Sequence, residues 1–352
     1  MRKKLLSILA LLCLTVSGAW ADVLYSGPCG TSGHENDVRW SLTDNGTFTV
    51  YGSGAMADYT DPDDRPWSVR TESITSVVIN EGVTRIGNKA FLNCSNLTTV
   101  TIYASPCILG DGVFTSCGNL THIYVFSDLV DDFKKASDWS SYTGIISAIP
   151  DVTAHEGATG QYWATYYNEL ADVQMPEGTQ VFKVHLDDLE LTLTKIEDGI
   201  VNRGEGVVLK SNSASITLAS AASPSKYSYE GNSLLGTMTK ITTTKGDDFY
   251  YVLHKESAGV GFYKLSDDGG IIDANKAYLV DGGGIGEPNA REFFLFDEAT
   301  GIVELKNSRI EELKSDDAWY TLDGRKLEGR LQGKKATTKG LYIVGGKKVV
   351  IK

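Results

Sequence analysis

Residues 74–126 carry a register of 23 residues, and it constrains the fold more than any other feature of the chain. Ile86-Gly87-Asn88-Lys89-Ala90-Phe91-Leu92-Asn93-Cys94-Ser95-Asn96-Leu97-Thr98-Thr99-Val100-Thr101-Ile102 lies over Leu109-Gly110-Asp111-Gly112-Val113-Phe114-Thr115-Ser116-Cys117-Gly118-Asn119-Leu120-Thr121-His122-Ile123-Tyr124-Val125. Gly87 meets Gly110, Phe91 meets Phe114, Cys94 meets Cys117 and Asn96 meets Asn119. One step earlier, Ile74, Val77 and Ile79 fall where Leu97, Val100 and Ile102 fall. A fixed period of this length predicts a solenoid, whose stacked coils bury one continuous core and present a strand-lined face. That shape suits a large partner. There are about two full coils and a partial one, whereas isolated solenoids need roughly three. Flanking segments must therefore supply much of the burial.

The flanks have the character of caps. Val38 to Leu42 alternates, Asp44-Asn45-Gly46 gives a turn, and Thr47 to Tyr51 alternates again, which predicts a hairpin. The stretch Leu129–Tyr142, with Leu129, Phe133, Ala136 and Trp139, predicts a short amphipathic helix that closes the solenoid. Beyond Pro150–His155 the pattern changes. Strands are expected at Tyr162–Tyr167, Gln180–Leu186, Leu189–Ile196, Gly206–Lys210, Ser215–Leu218, Phe249–His254, Gly261–Lys264, Ala277–Val280 and Glu292–Phe296. Many short strands at regular spacing predict a β-sandwich. Residues 301–316 are polar and without pattern, a linker. Trp319 to Leu322, then Leu341–Val344 and Lys348–Ile351 around Gly345-Gly346, predict a small terminal β module.

The N-terminus reads as a secretory signal. Arg2, Lys3 and Lys4 precede the apolar run Leu5–Val16, and Ala19-Trp20-Ala21 offers a cleavage site. Cys13 follows Leu12 rather than a small residue, so cleavage is expected and not lipidation. No later stretch is apolar enough to span a bilayer. A net charge of −12 without a clustered basic surface argues against nucleic acid as a partner. Cys29, Cys94, Cys107 and Cys117 remain after cleavage; the repeat positions of Cys94 and Cys117 suggest buried free thiols.

Signals for chemistry are weak. Gly52-Ser53-Gly54 lacks the spacing of a nucleophile elbow and reads as a turn. Cys29 and His34 lie in a Gly-rich stretch with no residue to orient them. The five histidines show no zinc spacing, and no Cys-x-x-Cys exists. Asp58, Asp61, Asp63 and Asp64 lack a calcium-loop register and read as a solvated loop. Asp281 to Gly286 runs into Glu287-Pro288 rather than a helix, so it is no phosphate cradle. Carboxylate pairs for glycoside hydrolysis are placed by fold, not spacing, and Asp187-Asp188 reads as a hairpin turn. No catalytic residue, metal or cofactor is expected.

The coil Gly-x-x-Ala/Val-Phe-x-x-Cys-x-x-Leu-x-x-Val/Ile-x-Ile/Val resembles the leucine-rich repeats of BspA-type bacterial surface proteins. Gly27-Pro28-Cys29-Gly30, Trp40-Ser41-Leu42, Gly46 to Met56 and Pro66-Trp67 are similar to the segment before such repeats. Ile123-Tyr124-Val125, Phe133-Lys134 and Trp139 to Tyr142 are similar to their closing cap. Trp319 to Arg325, Lys339 to Val344 and Lys347 to Val349 resemble the C-terminal sorting domains of proteins exported by the type IX system. That resemblance implies an outer-membrane or cell-surface destination and a contact between the tail and secretion machinery.

The expected architecture is mainly β. A signal peptide (1–21) and an N-terminal β cap (22–72) precede the leucine-rich repeats with their helical C-cap (73–149). A β-sandwich (150–300), the linker (301–316) and the sorting module (317–352) follow. Along each repeat strand, alternate residues point outward: Ser76, Val78 and Asn80; Thr99, Thr101 and Tyr103; His122, Tyr124 and Phe126. Thr101, Tyr103, His122, Tyr124 and Phe126 are therefore the expected binding residues, for a protein or glycan at the cell surface. The expected function is non-enzymatic adhesion. The alternative is a carbohydrate-active or carbohydrate-binding role for residues 150–300, drawn from Tyr162, Trp163, Tyr166, Tyr167, Tyr250 and Tyr251.

Overall fold

A computed structural model describes residues 23–157, 160–187, 190–243, 249–256, 259–265 and 268–281, with five further strands. Those are Phe293–Phe296, Val303–Glu304, Trp319–Thr321, Gly340–Val344 and Lys347–Ile351. The expected signal peptide with Cys13, residue Asp188, the loop 282–286 and most of the linker 301–316 lie outside the described residues. The described residues are mostly strands with few helical turns, in keeping with a mainly β chain.

Strands β1 (Val23–Pro28), β2 (Val38–Thr43) and β3 (Thr47–Gly52) form an antiparallel meander. At the β2–β3 turn, Gly46 takes φ 84°, a left-handed conformation that glycine adopts without strain. The Asn45 carboxamide accepts from the Thr47 amide at 3.0 Å and from the Thr43 hydroxyl at 2.7 Å. Four strands then add in parallel to one edge of the meander: β4 (Ser76–Ile79), β5 (Thr99–Ile102), β6 (His122–Val125) and β7 (Ile146–Ala148). The result is one seven-stranded sheet. Val77, Val100 and Ile123 stand abreast, as do Ile79, Ile102 and Val125, and all six are buried.

Behind the sheet the coils repeat in backbone detail. Lys89 and Gly112 take φ 54° and 64°, and Asn93 and Ser116 take 64° and 61°, one register apart in each case. The amides of Lys89, Phe91 and Asn93 donate to the carbonyls of Asp111, Val113 and Thr115 at 2.9, 3.1 and 3.0 Å. Asn96 and Asn119 donate side-chain N–H groups to the carbonyls of Glu72 and Ser95, both at 2.8 Å. The paired glycines of the register sit where coils touch. A Cβ on Gly87 would lie 1.7 Å from the Ala57 carbonyl oxygen, and one on Gly110 2.6 Å from the Asn88 amide nitrogen.

A continuous line of rings runs through the core. Trp40 stacks on Phe48 at 5.2 Å, and Phe48 meets Trp67 and Phe91 at 4.9 and 5.3 Å. Phe91 stacks on Phe114 at 5.9 Å. Phe114 meets Tyr142 at 5.6 Å, and Trp139 then leads to Phe133 at 5.1 Å. Residues outside the two full coils thus supply most of the rings, and edge-to-face and offset contacts of this kind add to area burial. The indole N–H groups of Trp67 and Trp139 donate to the carbonyls of Ala90 and Cys107 at 2.9 and 2.8 Å. Arg65 is buried, and among the described residues no carboxylate forms an ion pair with it. Its guanidinium donates to the carbonyls of Pro62, Lys89, Ala90 and Leu92, and so satisfies the turn carbonyls of the first coil.

The expected helix over 129–142 is broken. Ser127–Leu129 is a 3₁₀ turn, Val130–Lys135 is α-helical, Ala136 is extended (φ −68°, ψ 127°), and Ser137–Tyr142 is again 3₁₀. Phe133 and Trp139 are six residues apart, which an unbroken helix would place well round from each other. The break turns both into the same core, where both are fully buried.

The following region contains a five-stranded antiparallel sheet. Its order is His155–Glu156, β8 (Tyr162–Tyr166), β11 (Val207–Ser211), β9 (Gln180–Asp187) and β10 (Glu190–Ile196). One face carries Trp163, Phe182, Val184, Leu191 and Val208. These pack on a six-stranded sheet through Tyr251, Leu253, Phe262, Ala277 and Leu279. That second sheet is built on β12 (Phe249–Glu256), β13 (Gly259–Lys264) and β14 (Lys276–Asp281). The other face of the five-stranded sheet carries Ala164, Tyr166, Val181, Ile196, Val207 and Leu209. With both faces covered, β11 reads Val207-Val208-Leu209, an apolar run without alternation. Val303–Glu304 pairs with Phe296 and Leu295, so the six-stranded sheet continues into the expected linker. The short apolar run Ile302-Val303, with Leu305 after Glu304, was the signal there, and it is lost in a stretch that is otherwise polar. Trp319–Thr321, Gly340–Val344 and Lys347–Ile351 form a separate three-stranded antiparallel sheet.

Candidate functional site

The outward face of the seven-stranded sheet is a grid set by the register. Thr47, Ser76, Thr99 and His122 stand abreast in one row. Thr49, Val78, Thr101, Tyr124 and Ser147 form the next. A third begins one step past the strands, with Asn80, Tyr103 and Phe126. Two residues apart on one strand, His122 and Tyr124 project to the same side. Their rings stack at 5.4 Å with planes 9° apart. His122 is exposed and Tyr124 and Thr101 are half-buried. The His122 Nδ1 lies 3.0 Å from the Thr121 hydroxyl.

The third row is covered. Tyr103 and Phe126, expected on the open face, are 8% and 1% exposed. They pack edge to face at 5.6 Å and join a core with Val152, Ala164, Tyr166, Leu170 and Val173 of the second region. Burial pushes the Tyr103 hydroxyl up to about 12, with a hydrogen bond to Asn168 acting the other way. The cause is physical: two apolar rings at the end of a strand face find apolar cover within the same chain. Apolar character one step past β5 and β6 was the available signal, and it fits an internal interface as well as an external one.

Polar contacts hold that cover in place. Arg203 Nη2 pairs with Glu81 Oε1 at 2.6 Å, and the Asp172 amide donates to Glu81 Oε2 at 3.0 Å. The Ser127 amide and hydroxyl donate to the Leu218 carbonyl at 3.2 and 2.8 Å. The Ser220 amide and hydroxyl donate to Asp128 at 2.9 and 2.6 Å. None of these residues was singled out from sequence, because each partner lies far along the chain. Thr101, His122 and Tyr124 therefore remain together as the accessible part of the expected site, while Tyr103 and Phe126 lie beneath the second region.

The residues weighed for chemistry fall into structural roles. Cys29, Cys94, Cys107 and Cys117 are free and buried. Burial pushes the thiols of Cys29, Cys94 and Cys107 up to about 12, and that of Cys117 to about 11. A Cys29 thiolate is thus inaccessible near neutral pH, and the His34 ring turns to Asp37 at 2.8 Å instead. Burial raises the Asp58 carboxyl, but bonds from the Asn88 amide and the Arg85 guanidinium outweigh it and hold the group below the usual carboxylate range. Asp61 caps the Asp63 amide at 2.9 Å. Among the described residues no three His, Cys, Asp or Glu side chains gather as a metal site.

In the second region, Trp163, Tyr166 and Tyr251 are packed in cores and cannot stack on a sugar ring. Tyr162, Tyr167 and Tyr250 are half-buried against the same cores. The described cleft beside this sheet is polar. It holds about 450 Å³ and is lined chiefly by Gln161, Gln180, Lys195, Glu197, Lys210 and Asn212.

Comparison with known proteins places a family likeness on the coils. Residues 69–142 match the family described as BspA type leucine rich repeat region. No curated protein matches the chain. A solved leucine-rich repeat protein from Eubacterium ventriosum is 32% identical over 29% of this chain and 27% of its own, with a TM-score of 0.26. The chain thus spans about a quarter of that protein's length. Among the described residues no helix is long and apolar enough to cross a membrane.

Proposed function

We propose that this is an exported, non-enzymatic surface protein that binds a macromolecular partner through the open rows of its strand-lined face. Residues 73–149 act as a short capped leucine-rich solenoid and residues 150–300 as a β-sandwich fused to it. The observation that carries the reading is the stacked pair of exposed His122 and half-buried Tyr124, set beside Thr99 and Thr101 on parallel strands. Aromatic and hydroxyl side chains on a rigid ladder offer contact area at small entropic cost. The family match over the coils supports a repeat scaffold whose use is protein binding.

The test is capture of surface-displayed or matrix proteins and glycans by the mature chain, beside a Thr101→Ala/Tyr124→Ala variant. The reading expects bound partner to be lost in the variant with the thermal midpoint unchanged. Retained binding would move the site elsewhere, and robust turnover on a glycan or peptide panel would overturn the non-enzymatic reading. The tail, residues 317–352, is proposed as the address for export to the cell surface. Its deletion should leave folded protein in the periplasm; undiminished surface display of the truncation would refute that role.

A further inference from the structure

The polar cleft at the end of the five-stranded sheet is built from four neighbouring strands. Gln161 immediately precedes β8, Lys210 and Asn212 lie at the end of β11, Gln180 opens β9, and Lys195 and Glu197 close β10. Lys210 stands directly between Trp163 and Gln180 in the cross-strand register, so the three share a face. The Lys210 ammonium sits 5.0 Å above the Trp163 ring, which fixes its position at the rim of the packed core. Gln161 donates to the Asn212 carboxamide oxygen at 3.0 Å, which orients both amides. Lys195 is ion-paired with Glu197, and both are substantially exposed.

This donor and acceptor set is selective. Lys195 and Lys210 against the single carboxylate of Glu197 leave the cleft with one net positive charge in a chain of net charge −12. A bare polyanion is disfavoured by Glu197 within the cleft and by the charge of the whole chain. Three carboxamides offer paired donors and acceptors, which match vicinal hydroxyls, and Glu197 accepts a further hydroxyl. A volume of about 450 Å³ falls within the range of small-ligand sites. The geometry points to a subsite for a saccharide that carries a carboxylate, a uronic-acid-bearing oligosaccharide, with Lys195 and Lys210 on the acid and the amides on the ring hydroxyls. Recognition here proceeds by hydrogen bonds and charge, without an exposed aromatic platform.

The experiment is calorimetric titration of the full chain with a trisaccharide bearing a single galacturonic acid, with the neutral methyl ester of the same trisaccharide, and with inorganic polyphosphate. Binding of the acidic trisaccharide, with the neutral one far weaker, is the expected result. Lys195→Ala should weaken it by roughly tenfold, as should Gln180→Ala to a lesser degree, because each removes one hydrogen bond, charged or neutral. Both positions are exposed, and an unchanged thermal midpoint confirms that the fold is intact. Absence of acidic-saccharide binding, equal affinity in Lys195→Ala, or preferred binding of polyphosphate would each overturn the assignment.

Discussion

The two β regions of this chain bury similar kinds of side chain by opposite rules of connection. In the coils, a residue's neighbour in space is its counterpart one register away: Val77 meets Val100, and Val100 meets Ile123. In the second region, partners are set by topology, with Trp163 opposite Lys210 and Tyr251 opposite Leu279. A local repeat writes its contacts into the sequence, whereas a nested antiparallel sheet writes only its strands. The coils should therefore behave as a chain of near-neighbour interfaces and the second region as one cooperative unit.

The strongest attack on that contrast is at the cores. Phe91→Ala, in the ring line of the coils, should cost about 3–5 kcal/mol, as should Phe262→Ala between the two sheets of the second region. Urea unfolding read by tryptophan fluorescence should show each variant lowering a different transition. A single transition moved equally by both would erase the distinction. The next test is the junction. Glu81→Ala removes the pair to Arg203 and the acceptor of the Asp172 amide, but the Arg203 side chain is 47% exposed, so the loss is roughly 1 kcal/mol or less. It should appear as faster proteolysis between the regions while both cores persist.

Smaller again is a pH effect confined to the second region. Burial first, then His254, Lys276 and Lys255, hold His155 below the ordinary histidine range. Its neutral form is favoured in the fold, so the unfolded chain binds the proton more readily. Stability should fall as pH drops below about 6.5 and recover on the way back up. His155→Gln should flatten that slope, while the coils' transition stays put. The smallest expected effect is none at all. Cys94 and Cys107, with thiols pushed up to about 12, should resist iodoacetamide at mildly alkaline pH and react once urea opens the coils.

Legibility followed the same division. The hairpin, the repeat strands and their buried positions were readable because alternation and register are local properties. All nine strands expected after residue 160 are also present, in whole or in part. Their layering was not readable, since nothing in Val207-Val208-Leu209 says which sheet lies on either side. The break at Ala136 escaped because helical spacing of Leu129, Phe133 and Ala136 looked sufficient, while Trp139 demanded a different turn of the chain. Of the expected site, the periodic pattern placed Thr101, His122 and Tyr124 on one face. It could not tell that Tyr103 and Phe126 would be claimed by residues such as Ala164 and Tyr166, which follow long after them.

The line of rings from Trp40 to Phe133 has a consequence for how such a protein can grow. Phe91 and Phe114 occupy the same slot in successive coils, one stacked on the other with planes 8° apart. The end groups meet that slot rather than a unique surface: Phe48 and Trp67 on one side, Tyr142 on the other. A further 23-residue segment carrying its own phenylalanine can thus be spliced between them with both ends left as they are. Gene duplication can lengthen the molecule unit by unit, widening its reach without inventing a new fold.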